Sequence, residues 1–208
     1  CSYLAGFYEH DMASALWELS GEDALLDAYR KELALHGKTP DEMKPVVRIT
    51  TSDTGSGGAN IFPMLVSGKE NTTISLGSPL RLGHRNGTKL SEFDDQLKLL
   101  YGKYQLAAGN LVKLLKVEVM NPVNCMKGVM DKLGIARKYA AEAVDLFVAQ
   151  YGEGPCTAHD IYFGISEILY MLACEGEEGG RIARMEETIA RALSVNWTEF
   201  DIPGNYKW

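Results

Sequence analysis

The feature that most constrains the fold is a long apolar stripe with helical spacing in the middle of the chain. After Ser91, apolar residues recur every three or four positions, as on one face of an amphipathic helix. They are Phe93, Leu97, Leu100, Tyr104, Ala107, Leu111 and Leu114. Further helices are predicted near residues 122–134, 137–151, 157–172 and 182–193, so the second half is mostly helical.

Short local signals mark the ends of two of these helices. Asn121 and Pro122 have the residue types of an N-cap and a first helical position, and Gly134 is placed to end that helix. Thr157 and Asp160 have the spacing of a capping box, which predicts the start of the helix near residues 157–172.

Over residues 46–85 the spacing of apolar residues changes from the helical pattern to that of strands. "VVRIT", "ANIFPMLVS" and "NTTISLG" are β-branched or apolar runs separated by clusters of Gly, Ser and Asn. They predict three or four antiparallel strands joined by tight connections. Because proline cannot donate a hydrogen bond to a neighbouring strand, we expect Pro63 at an edge or a bulge.

The first 40 residues are predicted to be helical. Met12, Leu16 and Leu19 fall on one face of a short helix, and Leu26, Tyr29 and Leu33 on one face of a second. Gly37 and Pro40 then end the second helix.

We therefore predict an α+β fold, with a small antiparallel sheet of three or four strands in the first half packed against a mostly helical second half. The expected organisation is N-terminal helices over residues 1–40, the sheet over 41–88, and a helical region with a docked C-terminal tail over 89–208. At 208 residues, 46% of them hydrophobic, we expect one compact domain.

Composition also predicts the compartment. The sequence has neither an apolar run of the roughly 18 to 20 residues that span a bilayer nor the pattern of a signal peptide. Its four cysteines stand far apart, without a C-x-x-C pair or histidines at metal-ligand spacing. We expect a soluble, cytoplasmic protein with reduced thiols, no metal, no cofactor and no membrane partner.

Charge is distributed unevenly along the chain. Residues 79–138 contain 11 basic and 5 acidic side chains, a net charge of +6, whereas the flanking segments 1–78 and 139–208 have net charges of -5 and -8. A basic middle between acidic flanks is typical of a polyanion site in an acidic protein, and a solvated surface of mixed charge is the alternative.

Two segments of this basic middle are candidate nucleic-acid sites. "HRNGTK" gathers His84, Arg85 and Lys89 around a turn-forming Asn-Gly, with Arg81 just upstream. On a hairpin tip these side chains suit phosphate contacts, and a solvated turn is the alternative.

The second segment, residues 125–147, has the outline of a helix-turn-helix, a short helix followed by a Leu-Gly-Ile turn and another helix. It offers Lys127, Lys132, Arg137 and Lys138 for contacts with a nucleic-acid backbone. An ordinary helical hairpin in the core is the alternative.

Three other features carry weaker signals for catalysis. The triplet Asp53-Thr54-Gly55 occurs in aspartic proteases, but here Thr51 and Ser52 replace the apolar pair expected before it, which favours a turn. An N-terminal Cys1 has the residue type of an N-terminal nucleophile. His159 and Asp160 suit acid–base work, but capping and a buried polar role are the simpler interpretation.

The order of several segments resembles a known family. The segments are "TSDTGSGGANIFPML", "LRLGHRNG", "FDDQLKLLYGKY", "TAHDIYFGISEIL" and "RIARMEETIARAL". Together they resemble the phage- and plasmid-encoded family catalogued as domain of unknown function 932, over residues 46–195. The resemblance implies a mobile genetic element and carries no established catalytic residue.

Three hypotheses about function follow. The first is a non-enzymatic phage or mobile-element protein that binds nucleic acid or a nucleoprotein through the eight basic side chains named above. The second is an inhibitor of a host defence nuclease, in which the acidic flanks mimic a phosphate backbone. The third is a hydrolase using Asp53 or Cys1.

Overall fold

The computed structural model of the protein describes residues 1–9, 12–39, 42–52, 59–68, 72–82 and 90–208. The chain divides into two compact units, which we call unit 1 (Cys1–Asn110) and unit 2 (Leu111–Trp208). The boundary between them falls inside one long helix, α2 (Leu90–Leu115).

Unit 1 combines an antiparallel sheet with helices. Its elements before α2 are β1 (Ser2–Glu9), β2 (Met12–Glu18), a 3-10 turn (Asp23–Leu26), α1 (Asp27–Leu35), β3 (Met43–Ser52), β4 (Ala59–Ser67), β5 (Thr72–Ser75) and β6 (Leu80–Leu82). The sheet order is β1-β2-β3-β4-β5, and β6 pairs with β4 beyond the end of β5. The α+β class is confirmed. Strands β3 to β6 lie within residues 41–88, where the sequence predicts three or four strands, and β1 and β2 precede them in the same sheet.

The prediction of helices throughout residues 1–40 is wrong for the first half of that range. Met12–Glu18 forms strand β2, which pairs with β1 on one side and β3 on the other. The sequence misled because Met12 and Leu16 are four apart, a spacing that satisfies both the helical period and the strand period of two. Pairing with β3 decides between them, and it enlarges the predicted sheet to six strands.

Pro63 is not at a sheet edge, because its strand β4 is paired on both sides. Its carbonyl accepts a hydrogen bond from Leu76 N, so its ring nitrogen also points toward β5 and β6. On that side β6 pairs with β4 only up to Ile61, and β5 only from Met64. The missing N–H of Pro63 therefore falls in the gap between two partner strands.

Helices cover apolar residues of the sheet in unit 1. One buried cluster on the sheet contains Leu16, Val46, Phe62, Met64 and Val66. The helix α2 is tied to the sheet's main chain, because the Tyr104 hydroxyl donates to the Met64 carbonyl and Asn110 Nδ2 donates to the Leu76 carbonyl at 2.8 Å. These bonds hold this part of α2 against the sheet, and Tyr104, a member of the predicted apolar stripe, is fully buried.

Unit 2 is helical apart from one short pair of strands. After α2 come β7 (Glu118–Val119), α3 (Pro122–Leu133), α4 (Arg137–Tyr151), β8 (Cys156–Thr157), α5 (Ala158–Cys174), α6 (Gly179–Ala190) and two 3-10 turns (Arg191–Ser194 and Trp197–Glu199). The end signals are confirmed, because Asn121 is the N-cap residue of α3, Gly134 ends that helix in the left-handed conformation, and Thr157 and Asp160 complete the capping box of α5.

The C-terminal tail of unit 2 lies along α3. The Asp201 carboxylate accepts hydrogen bonds from the backbone N–H groups of Met120 and Asn121, and from the Asn121 side chain. Partial burial would raise the pKa of Asp201, but these three bonds outweigh it and hold the pKa below its ordinary value. Farther along, Tyr206 donates its hydroxyl hydrogen to Asp131 at 2.9 Å. The tail is therefore fixed to both ends of α3.

Within the described ranges, no helix has the length and apolar character needed to cross a membrane.

Candidate nucleic-acid interface

The candidate interface is built on the hairpin of α3 and α4. One face of α3 is in the core, where Met126, Val129 and Met130 are fully buried. Gly134 ends α3 with a φ of 75°, and Ile135 N bonds back to the Met130 carbonyl at 3.0 Å. Only residues 134–136 then separate the two helices, so the last turn of α3 and the first turn of α4 lie at one place on the surface.

The first turn of α4 has unusual electrostatics. Its N-cap is Ala136, whose side chain cannot accept a hydrogen bond from the free backbone N–H groups of that turn. It contains no acidic residue, and it begins with two cations, Arg137 and Lys138. The N-terminal end of a helix carries partial positive charge, so this first turn attracts anions.

Two of the four predicted cations of the hairpin are exposed and available. Lys132 lies in the last turn of α3 and Arg137 begins α4. Both are exposed, and neither forms an ion pair with any residue that the structure describes. They flank the three-residue turn and are suited to bind phosphate groups as point charges and hydrogen-bond donors.

The other two predicted cations are already engaged. The ammonium group of Lys138 lies 2.5 Å from the Glu175 carboxylate. This hydrogen bond raises the pKa of Lys138 and lowers the pKa of Glu175. The ammonium group of Lys127 lies 5.6 Å from the ring centroid of Trp208 in the C-terminal tail. The structure therefore does not bring all four cations together on one free surface.

A third exposed cation that the sequence analysis missed reaches the same turn. Arg191 follows α6, and its Nη2 donates to the Leu133 carbonyl at 3.4 Å. No local signal links Arg191 to the hairpin, because 58 residues separate it from Leu133 and only the packing of α3 against this 3-10 turn brings them together. We call Lys132, Arg137 and Arg191 the turn cluster.

Acidic residues beside α4 are held in pairs. Glu175 accepts from Lys138 and from the Tyr139 hydroxyl at 3.1 Å. Glu177 pairs with Arg181 at 2.5 Å, and the Arg181 guanidinium also reaches the Tyr139 hydroxyl. This network binds the "EGEEGG" segment to the start of α4. It neutralises Lys138, whereas no ion pair is formed by Lys132 or Arg137 with the residues that the structure describes.

Most of the other predicted cations lie outside the described residues. Arg81 is exposed on β6, opposite Asn60 of β4. His84, Arg85 and Lys89 fall in residues 83–89, which the structure does not describe. The structure therefore places one member of the predicted hairpin-tip cluster at the surface of unit 1.

The catalytic alternatives gain no complete constellation. Asp53 lies outside the described residues, and Cys1 is exposed. Asp160 has the predicted capping role, and His159 stacks on Phe163 with ring centroids 4.4 Å apart. In the part of the chain that the structure describes, no three His, Cys, Asp or Glu side chains are grouped as metal ligands.

Cys125 is a buried cysteine of α3 whose thiol has a raised pKa. Its side chain is fully buried in α3, and its sulfur lies 3.6 Å from the Trp197 carbonyl. Burial raises the pKa of the Cys125 thiol to about 12, and the negative charge of Asp201 adds to this effect. A nucleophilic cysteine requires the opposite shift.

Cys125 is therefore expected to resist alkylation until the protein unfolds. At about pH 8 its thiolate fraction is about a thousandfold below that of an ordinary thiol. Exposed Cys174 should react with iodoacetamide at the rate of a free thiol. Peptide mapping by mass spectrometry after timed labelling measures both rates, and denaturant should equalise them. Rapid labelling of Cys125 in the folded protein would contradict the buried position.

No protein-family model, no curated protein and no solved structure matches this chain.

Proposed function

We propose that this protein binds nucleic acid non-enzymatically through the turn cluster of unit 2. The observation that carries the proposal is the position of Lys132, Arg137 and Arg191 around the N-terminal end of α4. Phosphate groups are bound in proteins by this combination of Lys or Arg side chains with free backbone N–H groups of a helix N-terminus.

The placement of Arg137 in the first turn of α4 supports the proposal independently of the number of cations. Cations in the first turn of a helix oppose its dipole and weaken the free protein. A bound anion would remove that penalty, and local sequence choices that oppose stability are expected at functional sites. Contact by the first turn of α4 also agrees with the way a helix-turn-helix presents its second helix.

Reversing the charge of two turn-cluster residues is expected to abolish most binding. The variant Lys132→Glu/Arg137→Glu should raise the dissociation constant for labelled DNA or RNA at least about tenfold at low salt. Its plot of log affinity against log salt should lose a slope of about 2, since each phosphate contact contributes about 0.9. Fluorescence anisotropy across a salt series, with single- and double-stranded probes, measures both quantities.

The matched control is Lys31→Glu/Lys103→Glu, which changes the net charge equally through two exposed lysines of unit 1. It should keep nearly full affinity. Equal losses in the two variants would mean that only overall charge matters, and no binding by the unaltered protein at low salt would refute the proposal. Folding should persist, because the carboxylate introduced by Arg137→Glu is favourable at a helix N-terminus and the change at Lys132 costs only about 0.3–1 kcal/mol.

The cations that the sequence predicts at the tip of a β-hairpin, near residues 81–89, form a separate part of the proposal. Reversing Arg81, Arg85 and Lys89 together tests whether they extend the interface. Loss of affinity in this variant, in addition to the loss from the turn cluster, would support a second contact region. Unchanged binding to both DNA and RNA would remove this part and leave the turn cluster.

The competing hypothesis of a nuclease inhibitor has weaker support from the contacts. A phosphate mimic needs exposed, uncompensated carboxylates. Glu186 is buried, while Glu175 and Glu177 are paired with Lys138 and Arg181. The setting in a phage or other mobile element is also a proposal, and it rests on the resemblance to domain of unknown function 932.

A further inference from the structure

The free edge of the sheet in unit 1 is a long strand with exposed apolar side chains. Strand β1 pairs with β2 on one side, and no described strand pairs with its other side. Tyr3, Leu4 and Tyr8 are 57%, 43% and 65% exposed. The opposite edge differs, because it is divided between β5, with 4 residues, and β6, with 3. Short strands and bulges are common protections of sheet edges. The 8-residue β1 is not short, and its register with β2 shifts once, between Tyr3 and Ala5.

The chemistry of this edge selects an extended polypeptide as partner. A strand with one unpaired side presents a row of backbone N–H and C=O groups, which only another strand satisfies in register. Between Ser2 and Glu9 the side chains carry a single formal charge, on Glu9 at the end. The partner strand must therefore be predominantly uncharged and apolar, as β1 itself is.

The side chains of β1 fall into two rows that a copy of β1 would continue. Tyr3 and Tyr8 pair with Trp17 and Ala13, which lie on the same face of β2. The register shift between Tyr3 and Ala5 therefore places Tyr3 and Tyr8 on one face of the sheet, although they are five residues apart. Tyr3 also contacts Trp17 edge to face, with ring centroids 5.4 Å apart. An antiparallel copy related by a two-fold axis normal to the sheet sets this aromatic row beside the same row of the partner.

The single charge distinguishes antiparallel from parallel pairing of two copies. Glu9 is at one end of β1, so antiparallel pairing places the Glu9 carboxylates of the two copies at opposite ends of the interface. Parallel strands would place them side by side, which is unfavourable. From the free edge, the uncharged faces and this charge placement, we propose that two copies of this protein associate through β1 into a continuous antiparallel sheet.

Sedimentation equilibrium tests the proposal without any variant. An interface made mainly by one edge strand is smaller than a standard stable interface, so we expect a dissociation constant on the order of 10 to 100 μM. The average mass should rise from that of a monomer toward that of a dimer across this range. Hydrogen exchange of the β1 amides should slow as the concentration rises. A monomer at every concentration would overturn the proposal.

Tyr8→Lys tests the location of the interface. It adds a charge to each copy at an exposed edge position, and it should raise the dissociation constant at least tenfold. The control is Leu106→Lys on α2, which replaces a 77% exposed apolar side chain outside β1 and should leave association unchanged. Equal effects would indicate non-specific hydrophobic contact, and retained dimerisation in Tyr8→Lys would also overturn the proposal. Should Tyr8→Lys lose the amide protection of β2, Leu4→Lys replaces it under the same criteria.

Discussion

Replacing Asn124 by alanine is expected to lower the free energy of unfolding of unit 2 by about 1.5–4.5 kcal/mol. Asn124 lies in α3 and is only 7% exposed. Its Nδ2 donates to the carbonyls of Ile202 and Gly204 at 2.7 and 2.6 Å, and its Oδ1 accepts from Tyr206 N at 3.1 Å. Alanine removes all three bonds, and a net value of about 0.5–1.5 kcal/mol for each gives the expected loss.

The loss should be concentrated in the C-terminal tail. Residues 202–208 have few other anchors, whereas Asp201 keeps its bonds to Met120 and Asn121. Urea denaturation measures the free energy, and hydrogen exchange should show faster exchange of the Tyr206 amide with little change at α5. Asn124→Asp should not rescue stability at neutral pH, because its carboxylate would face the two carbonyl oxygens of Ile202 and Gly204.

The control for Asn124 is Asn196→Ala. Asn196 is exposed, and its side chain makes only local bonds, to Glu199 at 3.0 Å and from Thr198 at 2.8 Å. Its loss should cost less than about 1 kcal/mol. Equal costs for the two substitutions would contradict a stabilising role for the bonds between Asn124 and the tail. Continued protection of the Tyr206 amide in Asn124→Ala would contradict it as well.

The parts of the fold that local chemistry determines could be predicted from the sequence. Asn121, Pro122 and Gly134 act within a few residues of their own positions, as do Thr157 and Asp160 in the capping box. Their roles follow from backbone hydrogen bonds that neighbours in sequence must satisfy. The same principle failed for Met12 and Leu16, because a spacing of four fits both periods and a strand about 30 residues later decided the outcome.

The candidate site could be predicted only in part, for a related reason. Helical periodicity places Lys132 and Arg137 at the surface, and both are exposed. The engagement of Lys138 depends on Glu175, 37 residues away, and that of Lys127 on Trp208. Counting charge by segment therefore overestimates the free positive charge of residues 79–138. The acidic segment 139–208 supplies Glu175 as a partner for Lys138. Arg191 comes from that acidic segment and joins the turn for the same reason.

Replacing Gly164 by valine is expected to destabilise unit 2 by about 2–3 kcal/mol through overpacking. Gly164 is buried in α5, and a Cβ added there would lie 2.8 Å from Cδ2 of Phe147 and 3.4 Å from Cε of Met126. The methyl end of Met126 can move aside. The Phe147 ring cannot, because it is 1% exposed and stacks on Tyr151 at 5.0 Å. A glycine inside a helix costs about 0.5–1 kcal/mol relative to alanine, and this close approach of α4 and α5 accounts for its presence.

The control is Gly109→Val on α2, where an added Cβ would have no neighbour within 4 Å. It should be neutral or slightly stabilising, since valine has the better helix propensity. The cause is tested by the double variant Gly164→Val/Phe147→Leu, in which the smaller side chain makes room. Urea denaturation should give a cost for the double variant at least about 1 kcal/mol below the sum of the single costs. Strict additivity would mean that the clash with Phe147 is not the source of the destabilisation, and that α4 and α5 adjust their separation instead.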